Sequence, residues 1–327
     1  MEITESTYNR NHIHSLSLLR GLASLVVCFF HLKLFVWKDE NPNKLVEFFG
    51  VGNNGVVMFF VISGFVIPYS MYVKQYSISK FWKFLAKRTI RIEPPYIICI
   101  FILFFWRYYT YQNVWGGEKP IFDYTQFFLN ITYLAPFFHV EWINIIFWTL
   151  AIEFQFYILT GLLFDLMMKN RWYKFSVFAV ILAIGFIVPD RYLTLFDNYA
   201  YFIIGFQAFL YFIKKIKLSE LLLSILFCLG FIYMYKEPAA VCYAAFTVAG
   251  IFLLNYNWKY GTFLGDISYS LYLSHGLVGG SIIMFANQGV PRSLVFAFAV
   301  FNCIGAAWLY YYFVEKRFLE LSKKIKY

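Results

Sequence analysis

Asn54-Gly55-Val56-Val57-Met58-Phe59-Phe60-Val61-Ile62-Ser63-Gly64-Phe65-Val66-Ile67-Pro68-Tyr69-Ser70-Met71-Tyr72-Val73 is a run of 20 residues without one charged side chain. Wound as a helix, at about 1.5 Å per residue, it covers the roughly 30 Å of a bilayer's hydrocarbon core. Lipid offers no partner to a backbone N–H or C=O, so a helix that bonds within itself is the natural way to cross. Nine further segments read in the same way, near 16–36, 92–111, 143–168, 174–189, 195–213, 219–235, 239–256, 264–286 and 293–314. The expected fold is all-α, a polytopic integral membrane protein with about ten transmembrane helices. Neither an internal repeat nor a long polar region is evident. Residues 1–327 are therefore expected to form a single transmembrane domain without an appended soluble domain.

Composition agrees with that reading. Hydrophobic residues make up 61% of the chain and charged residues 14%, against about half and about a quarter in soluble domains. The 41 Phe and 27 Tyr suit lipid-facing surfaces and interfacial belts. Cys28, Cys99, Cys228, Cys242 and Cys303 lie in apolar stretches without C-x-x-C spacing. They imply neither a metal site nor a disulfide framework, and all five are expected to be small buried residues. Met1 to Asn11 is polar and lacks a signal-peptide pattern, so insertion is expected to depend on the first hydrophobic helix.

A net charge of +10 would suggest nucleic acid in a soluble protein. Here topology accounts for it. With the N-terminus in the cytoplasm, only Lys33, Lys38, Lys44, Arg107, Lys119, Arg191, Lys236 and Arg292 fall outside, leaving 20 of the 28 basic residues inside. That bias follows the positive-inside rule with both termini cytoplasmic, and no nucleic-acid partner is expected. The outer segment 112–142 mixes apolar residues with Asp123, Asn130, Pro136 and His139. It reads as an interfacial or re-entrant cap, or as a surface that binds an acceptor.

Ionisable groups inside a membrane are costly, and are functional or paired. Arg20 and His31 are eleven residues apart in the first span, about three turns or 16 Å along one helix face. Glu153 in the fourth span and His275 in the ninth fall at about the same mid-membrane depth as His31. A neutral histidine near a carboxylate is a general base; the bland reading is a structural hydrogen bond between helices. Ser268, Tyr269, Ser270 and Tyr272 give His275 a polar setting of its own. Arg88 and Arg91, spaced i, i+3, share a face if their helix begins early. They can grip phosphate bidentately or merely enforce topology, with Pro94 and Pro95 kinking the helix just beyond.

These residues resemble a known family. Ser17-Leu18-Leu19-Arg20-Gly21-Leu22-Ala23 through Phe30-His31-Leu32 is similar to the first helix of the acyltransferase-3 family of membrane O-acyltransferases, with its arginine, ten residues and histidine. Gly55 to Phe65 resembles the second-helix signature, and Arg88-Thr89-Ile90-Arg91-Ile92-Glu93-Pro94 resembles the R-x-x-R motif before a proline. Phe147-Trp148-Thr149-Leu150-Ala151-Ile152-Glu153-Phe154-Gln155-Phe156-Tyr157 looks like the W-S-L-x-x-E-x-Q-F-Y segment. Ile267 to His275 matches S-Y-x-x-Y-L-x-H, and Glu315-Lys316-Arg317 stands near a terminal E-x-P. Thr149 replaces a serine, Phe154 a common second acid and Arg317 a frequent proline. The motifs run in order from residue 17 to 317.

The resemblance implies transfer of an acyl group, commonly acetyl, from cytoplasmic acyl-CoA to a hydroxyl of a cell-surface glycan or its lipid-linked precursor. Acetyl-CoA, or another acyl-CoA, would be the co-substrate, without a metal. Arg88 and Arg91 would hold CoA phosphates, with Arg20 along the path to His31. His31 would be the base or a transiently acylated nucleophile, with Glu153 orienting it or contacting the acceptor. Tyr272 and His275 would line the substrate cavity. The expected partners are acyl-CoA, a glycan acceptor and the lipid bilayer, in a bacterial inner membrane; the oligomeric state is left open. A proton-coupled transporter or flippase of a glycan-related substrate is the competing class, since mid-membrane ionisable groups fit it too. The lack of an internal repeat argues against a carrier. A silent scaffold is the third class, and the retained Arg20, His31, Arg88 and Arg91 argue against it.

Overall fold

The computed structural model describes residues 5–37, 47, 50–112, 121–187, 195–254, 259–286 and 290–326. The elements among them are helical: α1 Glu5–Val36, α2 Gly55–Val73, α3 Phe81–Thr110, α4 Tyr124–Ile131, α5 Trp148–Lys169, α6 Arg171–Ile187 and α7 Leu195–Phe212. They continue as α8 Leu218–Tyr235, α9 Pro238–Leu253, α10 Lys259–Asp266, α11 Ser268–Ala286, α12 Arg292–Tyr310 and α13 Lys316–Lys324. Each of the ten segments picked out by hydropathy has a helical counterpart. Six stretches among the described residues are long and apolar enough to cross a bilayer: Ser15–Val36, Val51–Val73, Ile78–Thr110, Ile145–Lys169, Leu218–Tyr235 and Arg292–Lys324. The protein is an integral membrane protein.

Two elements differ from their expected outlines. Helix α3 starts at Phe81, well before the expected edge at 92, because its first turns are basic and fall outside an apolar ruler. It continues through Pro94 and Pro95, as membrane helices can when neighbours re-satisfy the freed carbonyls. The ninth segment is divided at Ile267 into α10 and α11. One expectation is corrected: Cys242 is exposed on α9, whereas the other four cysteines are buried. A small thiol on the outer face of an apolar helix costs little in a lipid-facing setting, so an apolar sequence context does not require burial.

The helices gather into two compact units, Met1–Val73 with Asn198–Tyr311, and Lys74–Asp197 with Tyr312–Tyr327. In the first, α1 packs along α10 and α11, and also meets α2, α9 and α12. Where Gly265 faces the Ser17 carbonyl and Gly279 faces Leu32, small residues let the helices close in, as lipid-embedded helices require. The paired positions advance together along the two chains, so α1 and α11 run parallel. Cys28, Leu32, Val36, Ile267, Leu271, Val295, Ala299 and Cys303 form the apolar seam of α1, α11 and α12. Arg292 closes the seam by donating to the Val36 carbonyl at the end of α1 (2.8 Å).

Helices α2 and α7 cross backbone to backbone. A methyl group on Gly205 would run into the Val61 carbonyl oxygen, and one on Gly64 into that of Phe202. Neither obstacle is a side chain that can swing aside. Gly205→Ala is therefore expected to lower stability by about 1–3 kcal/mol or more, read as thermal unfolding in detergent. Gly305→Ala, with open space around it, is expected to be neutral or slightly stabilising. Equal stability of the two variants would contradict this packing.

In the second unit, Tyr76 donates to the Gly161 carbonyl (2.7 Å) and Gln155 accepts from the Leu195 amide (2.8 Å). The expected cap lies here. Asp123 caps α4 by accepting from the Thr125 and Gln126 amides. Fully buried Asn130 ties the region together. It donates to the Gln126 and Glu141 carbonyls and accepts from the Ile143 amide, while its own carbonyl accepts from Tyr96 of α3. From residue 121 on, the described part of the segment forms a short helix with a 3-10 turn, and Asn130 ties it to Tyr96 of α3.

Candidate active site

The chemistry of the first unit centres on two imidazoles. His31, in the next-to-last turn of α1, and His275, mid-way along α11, come together with His275 Nε2 3.1 Å from His31 Nδ1. Their ring centroids are 4.9 Å apart. His31 Nδ1 is also 2.9 Å from the Val27 carbonyl, and His275 Nδ1 is 3.0 Å from that of Leu271. Both carbonyls lie one turn back on the same helix, where a helical residue pointing toward its N-terminus reaches them. His275 has no exposed surface, while His31 is partly exposed. Access to the pair is therefore through His31.

Aromatic rings frame the pair. Phe30 meets His31 edge-on (5.1 Å), Tyr272 stands 6.0 Å from His275, and Phe59 of α2 touches Tyr272 (5.7 Å). Tyr272 is 5% exposed. Arg20 lies on the same helix as His31, partly exposed.

The second unit assembles the remaining candidates. Arg88 and Arg91 lie together on α3, as the early helix start allows. Arg88 is 7% exposed, its guanidinium 5.6 Å from the rings of both Phe84 and Tyr157. A planar, weakly hydrated cation suits such an aromatic slot. On α5, Glu153 Oε1 accepts from Tyr157 Oη at 2.5 Å, and both Arg88 and Arg91 act electrostatically on that phenol. The R-x-x-R and E-x-Q-F-Y segments therefore build one polar cluster. Just before α3, partial burial and the adjacent Lys87 and Arg88 charges pull Lys74 down to about 8. Crowded cations of this kind favour an anion.

With this geometry in hand, the comparisons with known proteins are specific. The acyltransferase-3 family, described as an acyltransferase domain, matches residues 13–312, a span that includes Arg20, His31, Arg88, Arg91, Glu153, Tyr272 and His275. The chain belongs to this family. As an acyltransferase it is similar to "Putative acetyltransferase ORF330" of Acidianus two-tailed virus, 24% identical over 88% of this chain and 92% of the viral protein. It also resembles "Nodulation protein 10" of Rhizobium leguminosarum bv. viciae, 26% identical over 59% of this chain and 55% of the rhizobial one. No solved structure matches it.

For this acyltransferase the structure pairs His31 with His275, sets Tyr272 beside them, and gathers Arg88, Arg91 and Glu153 in the other unit. Tyr157 and Phe84 belong to the cluster and escaped the sequence reading as participants. Their spacing held the signal: Tyr157 is i+4 from Glu153 and Phe84 is i−4 from Arg88, neighbours on a helix face.

Proposed function

We propose that this membrane acyltransferase carries an acetyl group from cytoplasmic acetyl-CoA to a hydroxyl of a cell-surface glycan or its lipid-linked precursor, in a bacterial cytoplasmic membrane. The observation that carries the reading is the accessible His31 backed by buried His275. A partly exposed imidazole whose Nδ1 is engaged by its own helix and by a second histidine is built to take a proton from an incoming hydroxyl. As His31 takes it, the hydroxyl oxygen bonds to the thioester carbon. The carbon–sulfur bond then breaks, and the proton returns from His31 to the CoA thiolate. Acylation of His31 itself, followed by transfer, would balance the same atoms in two steps.

Arg88 and Arg91, with Lys74 nearby, would hold the donor's phosphates through charge-assisted bonds. Glu153, tethered by Tyr157, would contact the acceptor. The name of the viral relative, "Putative acetyltransferase ORF330", supports acetyl as the group moved. The reading is tested by the ester-linked acetate on surface glycans, measured by mass spectrometry in cells with and without the gene. Acetate is expected to disappear without the gene and return with the wild-type copy. Unchanged acetate in all glycan fractions would contradict the proposed acceptor class.

A further inference from the structure

We infer that His275 is a positioning residue that holds His31 in the tautomer protonated at Nδ1, so that His31 Nε2 is the atom that takes the acceptor's proton. The inference rests on the reading of His31 as the base and deepens it. A carbonyl oxygen can only accept, so the contact with Leu271 places a hydrogen on His275 Nδ1. A neutral ring holds one hydrogen, and His275 Nε2 is then a lone-pair acceptor. The hydrogen in its 3.1 Å contact must come from His31 Nδ1, whose other neighbour, the Val27 carbonyl, also only accepts. One N–H thus bridges two acceptors, and both carbonyls and both rings agree on a single arrangement.

That arrangement has chemical consequences. His31 Nε2 carries the lone pair. When it takes a proton, the new imidazolium still donates through Nδ1 to His275, and a bond from a charged donor is stronger than one from a neutral ring. His275 therefore acts most strongly when charge develops on His31. A buried neutral imidazole does here what a carboxylate does in a hydrolase triad, without placing a second full charge in the apolar seam. Cys303 Sγ, 3.7 Å from the His275 carbonyl, and buried Ser274 and Ser270 hold this turn of α11.

The test uses the full chain in detergent or nanodiscs, with its five histidines labelled with 15N and His31 assigned by its loss in His31→Asn. In the wild type, Nδ1 of His31 is expected to be protonated and Nε2 bare. His275→Leu removes one of the two acceptors and leaves the Val27 carbonyl alone, so the share of His31 protonated at Nδ1 is expected to fall while acyl transfer falls about tenfold to a hundredfold. His275→Gln sets an amide oxygen where Nε2 stood, and is expected to restore both the tautomer and most of the rate. A wild-type His31 protonated at Nε2 overturns the inference whatever the activity. A tautomer balance that shifts in His275→Leu with the rate intact would instead leave the positioning standing and sink the reading of His31 as the base. If His275→Leu fails to fold, the wild-type spectrum and the His275→Gln rate still decide.

Discussion

His31→Ala is expected to lower acyl transfer by about 10²–10⁴-fold, the range that a positioned general base supplies, with abundance and membrane insertion unchanged. Stability cannot account for a loss of that size. Removing His31 leaves His275 Nε2 without its donor, which costs about 1–3 kcal/mol, and His31 is partly exposed, so its site can take up water. His31→Asn sharpens the comparison. The asparagine amide nitrogen stands where Nδ1 stood and can still donate toward Val27 and His275, but it cannot accept a proton at neutral pH. It is expected to be as inactive as alanine and nearly as stable as the wild type. Transfer assays on equal amounts of inserted protein make the measurement. Full activity in His31→Asn would move the proton transfer to another group.

The double variant Arg88→Ala with Arg91→Ala is expected to weaken acetyl-CoA binding by about 10²-fold or more, since each charge-assisted hydrogen bond to an anion contributes about 1.5–3 kcal/mol. Isothermal titration with acetyl-CoA, or competition by CoA, reads the affinity directly. Arg88→Lys is expected to recover only part of it. A lysine keeps the charge but not the planar fork, nor the fit between the Phe84 and Tyr157 rings. Affinity equal to the wild type in the double variant would return these arginines to a purely topological role.

How much of this was legible in the sequence follows from how local each feature is. The 54–73 run and its nine counterparts needed only hydropathy and helix rise, and each proved helical. The shared helix of Arg88 and Arg91 was conditional on an early start, which the apolar ruler could not see because Lys83 and Lys87 occupy its first turns. Glu153 and Tyr157 were within reach, because i, i+4 spacing is printed in the chain. The contact between His31 and His275 was not, although both were singled out. They stand 244 residues apart, and equal depth in a bilayer leaves their angular positions undetermined. What sets those positions is the parallel packing of α1 on α10 and α11, where Gly265 and Gly279 let the backbones approach. The exposure of Cys242 was also beyond reach, since an apolar helix reads the same on its lipid-facing and buried sides.

The central claim is that this protein moves an acyl group rather than a whole molecule across the membrane. Purified wild-type protein in vesicles, given acetyl-CoA labelled in the acetyl group together with extracted glycan precursors, tests it most directly. The account predicts that label appears as an ester on the acceptor with one free CoA thiol released per ester, and that His31→Asn abolishes both. Label accumulating unchanged inside the vesicles, with neither ester nor thiol formed, would contradict it.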